Sequence, residues 1–285
     1  MQILDGKALA LEIQHTIKQE VQELSKQQIT PGLAVILVGD DPASQSYVNM
    51  KAKACSQTGI YSTTHKMPES ITEEALLQTI SMMNENPNID GILVQLPLPK
   101  HINTTAILEA ISPKKDVDGF HPFNMGRVFA NLDGFIPATP MGVITLLEHY
   151  KIPIEGKNVV IVGASNIVGK PLGALFLNKN ATITLCHIYT QNLAEHTKKA
   201  DILCVGVGKP NLITQDMVKE GAIVVDIGIT KLENGKIVGD VDFDNVAPKC
   251  SYITPVPGGV GPMTIASLLQ NTIKAAKLRA QKETK

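Results

Sequence analysis

With 285 residues, 44% of them apolar and 19% charged, the chain has the composition of a globular protein long enough for one large or two ordinary domains. A formal net charge of −1 with no basic block except a short polar tail argues against nucleic acid or an anionic membrane as the main partner, and no apolar run approaches the ~20 residues a bilayer-spanning helix needs. The opening residues lack a signal-peptide core, so a cytoplasmic location is expected, and Cys55, Cys186, Cys204 and Cys250 lack paired spacing and read as buried free thiols.

Leu9, Ile13, Ile17, Val21 and Leu24 recur at helical spacing and predict an amphipathic helix over 7–25. Pro31 and Gly32 break it, and the continuous apolar run Leu33 to Val38 reads as a strand buried on both faces. A helix over 44–58, a strand over 61–66, a helix over 72–84 and a strand over 89–97 follow. Strand alternating with helix means a parallel α/β sheet with right-handed crossovers. From Pro113 to Pro140 turn-forming residues dominate, so a loop region is expected there. A helix over 139–150 leads into a second alternating series, with strands over 158–162, 182–186, 201–205 and 222–227. A glycine-proline loop, Pro255 to Thr264, then opens a last helix over 263–278 whose Leu268, Leu269, Ile273 and Ala276 are expected to pack back on the first domain. The fold class is therefore α/β in two domains. One is a parallel-sheet substrate domain of residues 1–138 with 263–285, and the other is a Rossmann-like dinucleotide-binding domain of residues 139–262.

Chemistry is expected at the carboxyl ends of the strands, where open α/β sheets take their ligands. In the second domain Asn158 to Val162 ends at Gly163, and Ala164, Ser165 and Gly169 lead into a helix beginning near Pro171. That order of strand, tight turn and helix start aims backbone N–H groups and a positive helix end at one point, which suits a phosphate. The spacing Gly163-x-Ser165-x-x-x-Gly169 departs from G-x-G-x-x-G, so an ordinary strand-to-helix turn stays open. In the first domain Tyr47 and Lys51 lie four apart on one helix face, Gln95 interrupts an apolar strand, and Asp118 sits in a turn. Singly these read as a packed ring, a surface lysine, a satisfied polar group and a turn former. His121, beside Pro122, reads as an ordinary hydrogen-bonded histidine. No cluster shows metal-ligand spacing, so no metal is expected.

Tyr47-Val-x-x-Lys51, Gln95-Leu-Pro-Leu-Pro99, Lys115-Asp-Val-Asp-Gly119, Gly163-x-Ser165-x-x-Val168-Gly169-x-Pro171 and Pro255-x-Pro-Gly-Gly-Val-Gly-Pro-Met-Thr264 run in order along the chain. Together they resemble the bifunctional methylenetetrahydrofolate dehydrogenase / methenyltetrahydrofolate cyclohydrolase family. The resemblance implies two reactions in one cleft: hydride transfer from methylenetetrahydrofolate to a nicotinamide, then hydrolysis of the methenyl product to 10-formyltetrahydrofolate. It implies that Lys51 is the catalytic amine, that Gln95 orients it, that Tyr47 packs along the folate and that Asp118 anchors the pterin. Gly258 and Gly259 are implied to let the backbone approach the ligands, and Ile229 to meet the nicotinamide half. Tetrahydrofolate derivatives as substrates, NADP as cofactor and a homodimer through the nucleotide domain are implied as well.

Two positions depart from the family. Ala164 stands where the family usually has arginine, and Ile188 where it usually has serine, both contacts to the adenosine 2′-phosphate. NAD is therefore a competitor to NADP, yet no Asp or Glu closes the strand over 182–186 to grip a free ribose. His187 and Lys170 are candidates for the missing cation. Asp226 reads as a structural strand-end residue. Two rivals are weighed beside this reading. A shikimate-type dehydrogenase would lack the Tyr47–Lys51 pair, and a non-catalytic nucleotide sensor would have no use for Lys51, Gln95 and Asp118.

Overall fold

A computed structural model describes the chain through residue 283. It divides into two compact units, one of residues 1–10, 128–132 and 139–264, the other of residues 11–127, 133–138 and from Ile265 onward. The chain opens with a strand too short to be read from sequence, β1 (Gln2–Ile3). Helix α1 (Gly6–Lys26) then carries its apolar stripe, with Ile17, Val21 and Leu24 all buried.

In the second of these units β2 (Gly32–Val38) leads to α2 (Pro42–Thr58), β3 (Tyr61–Met67), α3 (Glu73–Glu85) and β4 (Gly91–Val94). Helix α2 begins where the Asp41 carboxylate accepts the Ser44 N–H at 2.7 Å and Pro42 presets the first turn. The three strands form a parallel sheet in the order β3-β2-β4. Every residue of β2 is buried because the central strand is covered on both faces. Leu33, Val35 and Leu37 pack with α1, α2 and the last helix, whereas Ala34, Ile36 and Val38 pack with Leu76, Ile80 and Met83 of α3. Each large apolar side chain so buried contributes about 1.5–3 kcal/mol.

The expected strand over 89–97 is shorter at both ends. Asp90 is drawn into bonds with the Gly32 N–H and the Arg279 guanidinium, and Gln95 closes the pairing with one last bond to the Ile36 carbonyl. Helix α4 (Thr104–Ala110) precedes the stretch expected as loop, and α5 (Pro122–Phe129) lies within it. Asn103 caps α4 by accepting the Thr105 and Ala106 N–H groups.

After α6 (Ala138–His149) the other unit runs through β5 (Asn158–Val162), α7 (Gly169–Leu177), β6 (Thr182–Cys186), α8 (Leu193–Thr197), β7 (Ile202–Val205) and β8 (Ile223–Asp226). A two-stranded antiparallel ribbon, β9 (Thr230–Lys231) with β10 (Ile237–Val238), precedes α9 (Phe243–Val246) and β11 (Tyr252–Ile253). The main sheet is parallel, six-stranded and ordered β1-β11-β8-β7-β5-β6. From β5 the chain crosses to β6 on one side and then returns past β5 to β7 on the other, so the switch point lies at the carboxyl end of β5. The last helix, α10 (Val260–Glu283), starts earlier than its apolar stripe suggests and supplies Leu268, Leu269, Ile273 and Ala275 to the core around β2.

Candidate active site

Lys51 sits on the inner face of α2, one turn after Tyr47, and is only 8% exposed. Its Nζ donates to Oε1 of Gln95 at 3.1 Å, and the Gln95 amide nitrogen in turn donates to the Leu96 carbonyl at 2.8 Å. Gln95 stands one residue past β4, where the sheet no longer needs an apolar side chain. Burial pushes the Lys51 amine below the ordinary lysine value, with the negative charge of Asp118 and the nearby Cys55 partly opposing.

Asp118 is raised to about 6, chiefly because its carboxyl is desolvated; Lys51 pulls it down and Asp116 pushes it up. Part of the Asp118 residue surface remains accessible, and its carboxylate makes no hydrogen bond among the described residues. Half-buried Tyr47 has its phenol raised by burial. Lys51, Gln95 and Asp118, distant in sequence, are thus brought together, with Tyr47 one helical turn away.

The turn that carries Asp118 has a support that sequence reading passed over. The Asp116 carboxylate is buried and accepts the N–H groups of Phe120 at 3.1 Å and His121 at 2.9 Å and the Asn124 amide at 2.8 Å. Asn271, on α10, donates to the carbonyls of Val117 and Ile136 at 2.8 and 2.9 Å. Asp116 was visible in the sequence only as the first half of Asp-Val-Asp, and Asn271 as a polar residue inside an apolar stripe. His121 accepts the Phe123 N–H through Nδ1, which is the ordinary role expected of it.

In the other unit Gly163 has φ +121°, and a Cβ there would run into the Gly206 carbonyl; a Cβ at Gly169 would run into the carbonyl of Gly163. Only glycine lets this turn close so tightly. Ser165 Oγ accepts the Val168 N–H at 3.1 Å and lies 3.5 Å from that of Gly169. The N–H groups of Ala164, Ser165, Asn166 and Ile167 have no protein partner among the described residues. A run of free N–H groups leading into a helix start is suited to an anion.

Ile188 is 91% exposed beyond the end of β6, and Ile229 is 41% exposed beyond the end of β8. Gly258 has φ +110°, its carbonyl accepts the Lys7 N–H, and a Cβ on Gly259 would strike Pro255 and Thr254. Asp226 accepts the N–H groups of Gly228, Asp240 and Val241, the structural role expected of it. Lys170 donates to Asn166 Oδ1 at 2.6 Å, whereas His187 is exposed and uses Nδ1 to accept the Tyr189 N–H.

Family comparison gives two matches along the chain. Residues 4–118 match the catalytic domain of tetrahydrofolate dehydrogenase/cyclohydrolase, and residues 137–280 match the NAD(P)-binding domain of the same enzymes. The chain is 72% identical over 282 residues to the bifunctional protein FolD of Wolinella succinogenes, covering 99% of each. Among solved structures, the FolD methylenetetrahydrofolate dehydrogenase/cyclohydrolase of Campylobacter jejuni is 56% identical with a TM-score of 0.97, over 98% of this chain and 99% of that one. The Trypanosoma brucei enzyme, solved with NADP cofactor and inhibitor, is 36% identical with a TM-score of 0.94, covering 98% of each.

Proposed function

The chain belongs to the tetrahydrofolate dehydrogenase/cyclohydrolase family, and from that premise we propose how its own residues divide the work. It is a bifunctional enzyme that oxidises methylenetetrahydrofolate to methenyltetrahydrofolate with a nicotinamide cofactor and hydrolyses the product to 10-formyltetrahydrofolate. The shikimate-type dehydrogenase and the nucleotide sensor give way to this reading.

Lys51 is the proton carrier of the hydrolysis. A protonated amine beside a methenyl cation is repulsive, so the neutral form is the working one, and burial already moves Lys51 toward it. In that form the amine takes a proton from the attacking water and returns one as the ring opens. Gln95 holds the amine in place through its Oε1, and Asp118 offers an uncommitted carboxylate to the amino and ring N–H groups of the pterin. Tyr47 lies along the aromatic part of the folate.

NADP is the cofactor, and the tight Gly163 turn with its free N–H groups fits a pyrophosphate. When bound there, the cofactor would supply the hydride acceptor for the oxidation. Ala164 and Ile188 bring no charge to the adenosine 2′-phosphate. Lys170 is held by Asn166, so His187 is the residue assigned to that phosphate, and without a carboxylate at the end of β6 NAD gains no grip on its ribose. Ile229 meets the nicotinamide half, and Gly258 and Gly259 are the substrate-side positions where the backbone passes close to the ligands. A cytoplasmic homodimer is the assembly proposed.

The observation that carries the mechanism is a desolvated lysine hydrogen-bonded to a glutamine and facing a carboxylate. Lys51→Met should slow hydrolysis of methenyltetrahydrofolate by about 10²-fold or more, the ordinary weight of a general acid–base group, with NADP affinity unchanged. Hydrolysis followed by methenyl absorbance at an undiminished rate overturns the assignment.

A further inference from the structure

Outside the residues assigned so far, the NAD(P)-type unit holds a second buried carboxylate. Asp240 is fully buried; its Oδ2 accepts the N–H of Val207 at 2.6 Å and of Gly208 at 3.0 Å, in the turn that leaves β7. Its Oδ1 has no hydrogen-bond partner among the described residues. Gly228, just past β8, has to be glycine, because a Cβ there would run into the Asp240 carboxylate. Asp226, the last residue of β8, accepts the Gly228 and Asp240 N–H groups at 3.0 Å each and that of Val241 at 2.9 Å. The two carboxylates therefore tie together three backbone segments: 206–208, 226–228 and 239–241.

These contacts extend to the phosphate turn. The Gly206 carbonyl occupies the space a Cβ on Gly163 would need, so the turn braced by Asp240 is the wall on which the Gly163 turn rests. On the other side, Gly228 is followed by Ile229. A buried carboxylate with one oxygen unmatched is a poor choice for stability alone, since the unmade bond leaves its desolvation uncompensated. Such a group persists where the geometry it enforces is used.

We propose that Asp240 is a positioning residue for the dinucleotide, holding the turns after β7 and β8 in the arrangement that receives it. This rests on the reading of the unit as the NADP site. The enzyme contains its own control, because hydrolysis of methenyltetrahydrofolate relies on Lys51 in the other unit.

Asp240→Ala should raise the calorimetric Kd for NADP and the KM for NADP by about tenfold or more, while the rate of methenyltetrahydrofolate hydrolysis stays within about twofold of wild type. Asp240→Asn, whose carbonyl oxygen can take both N–H bonds, should restore most of that affinity. If Asp240→Ala does not fold, Gly228→Ala displaces the carboxylate without deleting it, and the same selective loss is expected. NADP affinity within twofold of wild type in the folded variants overturns the proposal. So does a parallel fall in hydrolysis, which would make Asp240 a general structural residue, and so does failure of Asn to rescue. Wild-type protein that hydrolyses the folate but binds no NADP would instead sink the cofactor reading on which the proposal stands.

Discussion

At the scale of single residues, the site depends on charges moved out of water. Desolvation lowers the Lys51 amine and raises the Asp118 carboxyl, and each partly restrains the other. Burial raises the Asp118 carboxyl to about 6, so its protonated fraction grows as pH falls through that value, and in the role proposed for it fewer lone pairs would then be free to accept pterin N–H bonds. Folate affinity measured by calorimetry should accordingly weaken as pH drops below about 6, and Asp118→Ala should bind folate weakly with no such step. The NADP Kd of that variant should match wild type; equal weakening of both ligands would mean that Asp118 is a structural residue. Gln95 is half-buried and satisfied on both sides, and one of its partners is the Lys51 amine, so its burial alone does not distinguish the role proposed for it from that of an ordinary satisfied polar group.

At the scale of elements, glycine decides where α7 begins. Gly169 meets the carbonyl of Gly163, and the helix start, the Ser165 bond and the free N–H groups all depend on that approach. Gly169→Ala has to push the turn open. Overpacking of this kind costs about 1–3 kcal/mol. A lower thermal midpoint together with a weakened NADP Kd is the expected outcome, and a variant with unchanged NADP affinity would show that the turn does not hold the phosphate. Helix α10 works differently, as a strut. Its apolar stripe closes the core around β2 while Asn271 pins the backbone on either side of the Asp118 turn. Short elements such as α4 and α5 rest on caps and on packing supplied by their neighbours, because helices this short are marginal by themselves.

At the scale of the whole molecule, the chain builds two compact units, and the segment after Thr264 returns to the lysine-bearing one. Deleting residues 265–285 removes Leu268, Leu269, Ile273 and Ala275 from that core and the Arg279 partner of the buried Asp90. Limited proteolysis of the truncated chain should therefore degrade the lysine-bearing unit first and abolish folate binding, since the core of the other unit contains none of these residues. Equal protease resistance of full-length and truncated chains would contradict this. What the sequence by itself determined was whatever depends on periodicity and local steric demand. The apolar runs of β2 and β5, the stripe of α1, and the glycines at 163 and 169 each carry their reason within a few neighbouring residues, and the ordered motifs identified the family. Tertiary structure alone decided the rest. It paired β1 with β11, too short to announce themselves, and joined Lys51 to Gln95 across 44 residues. It also turned Asp116, Asn271 and Asp240 from unremarked polar residues into braces of the turns at 117–121 and 206–208, because a buried hydrogen bond has its meaning only once distant backbone has arrived to make it.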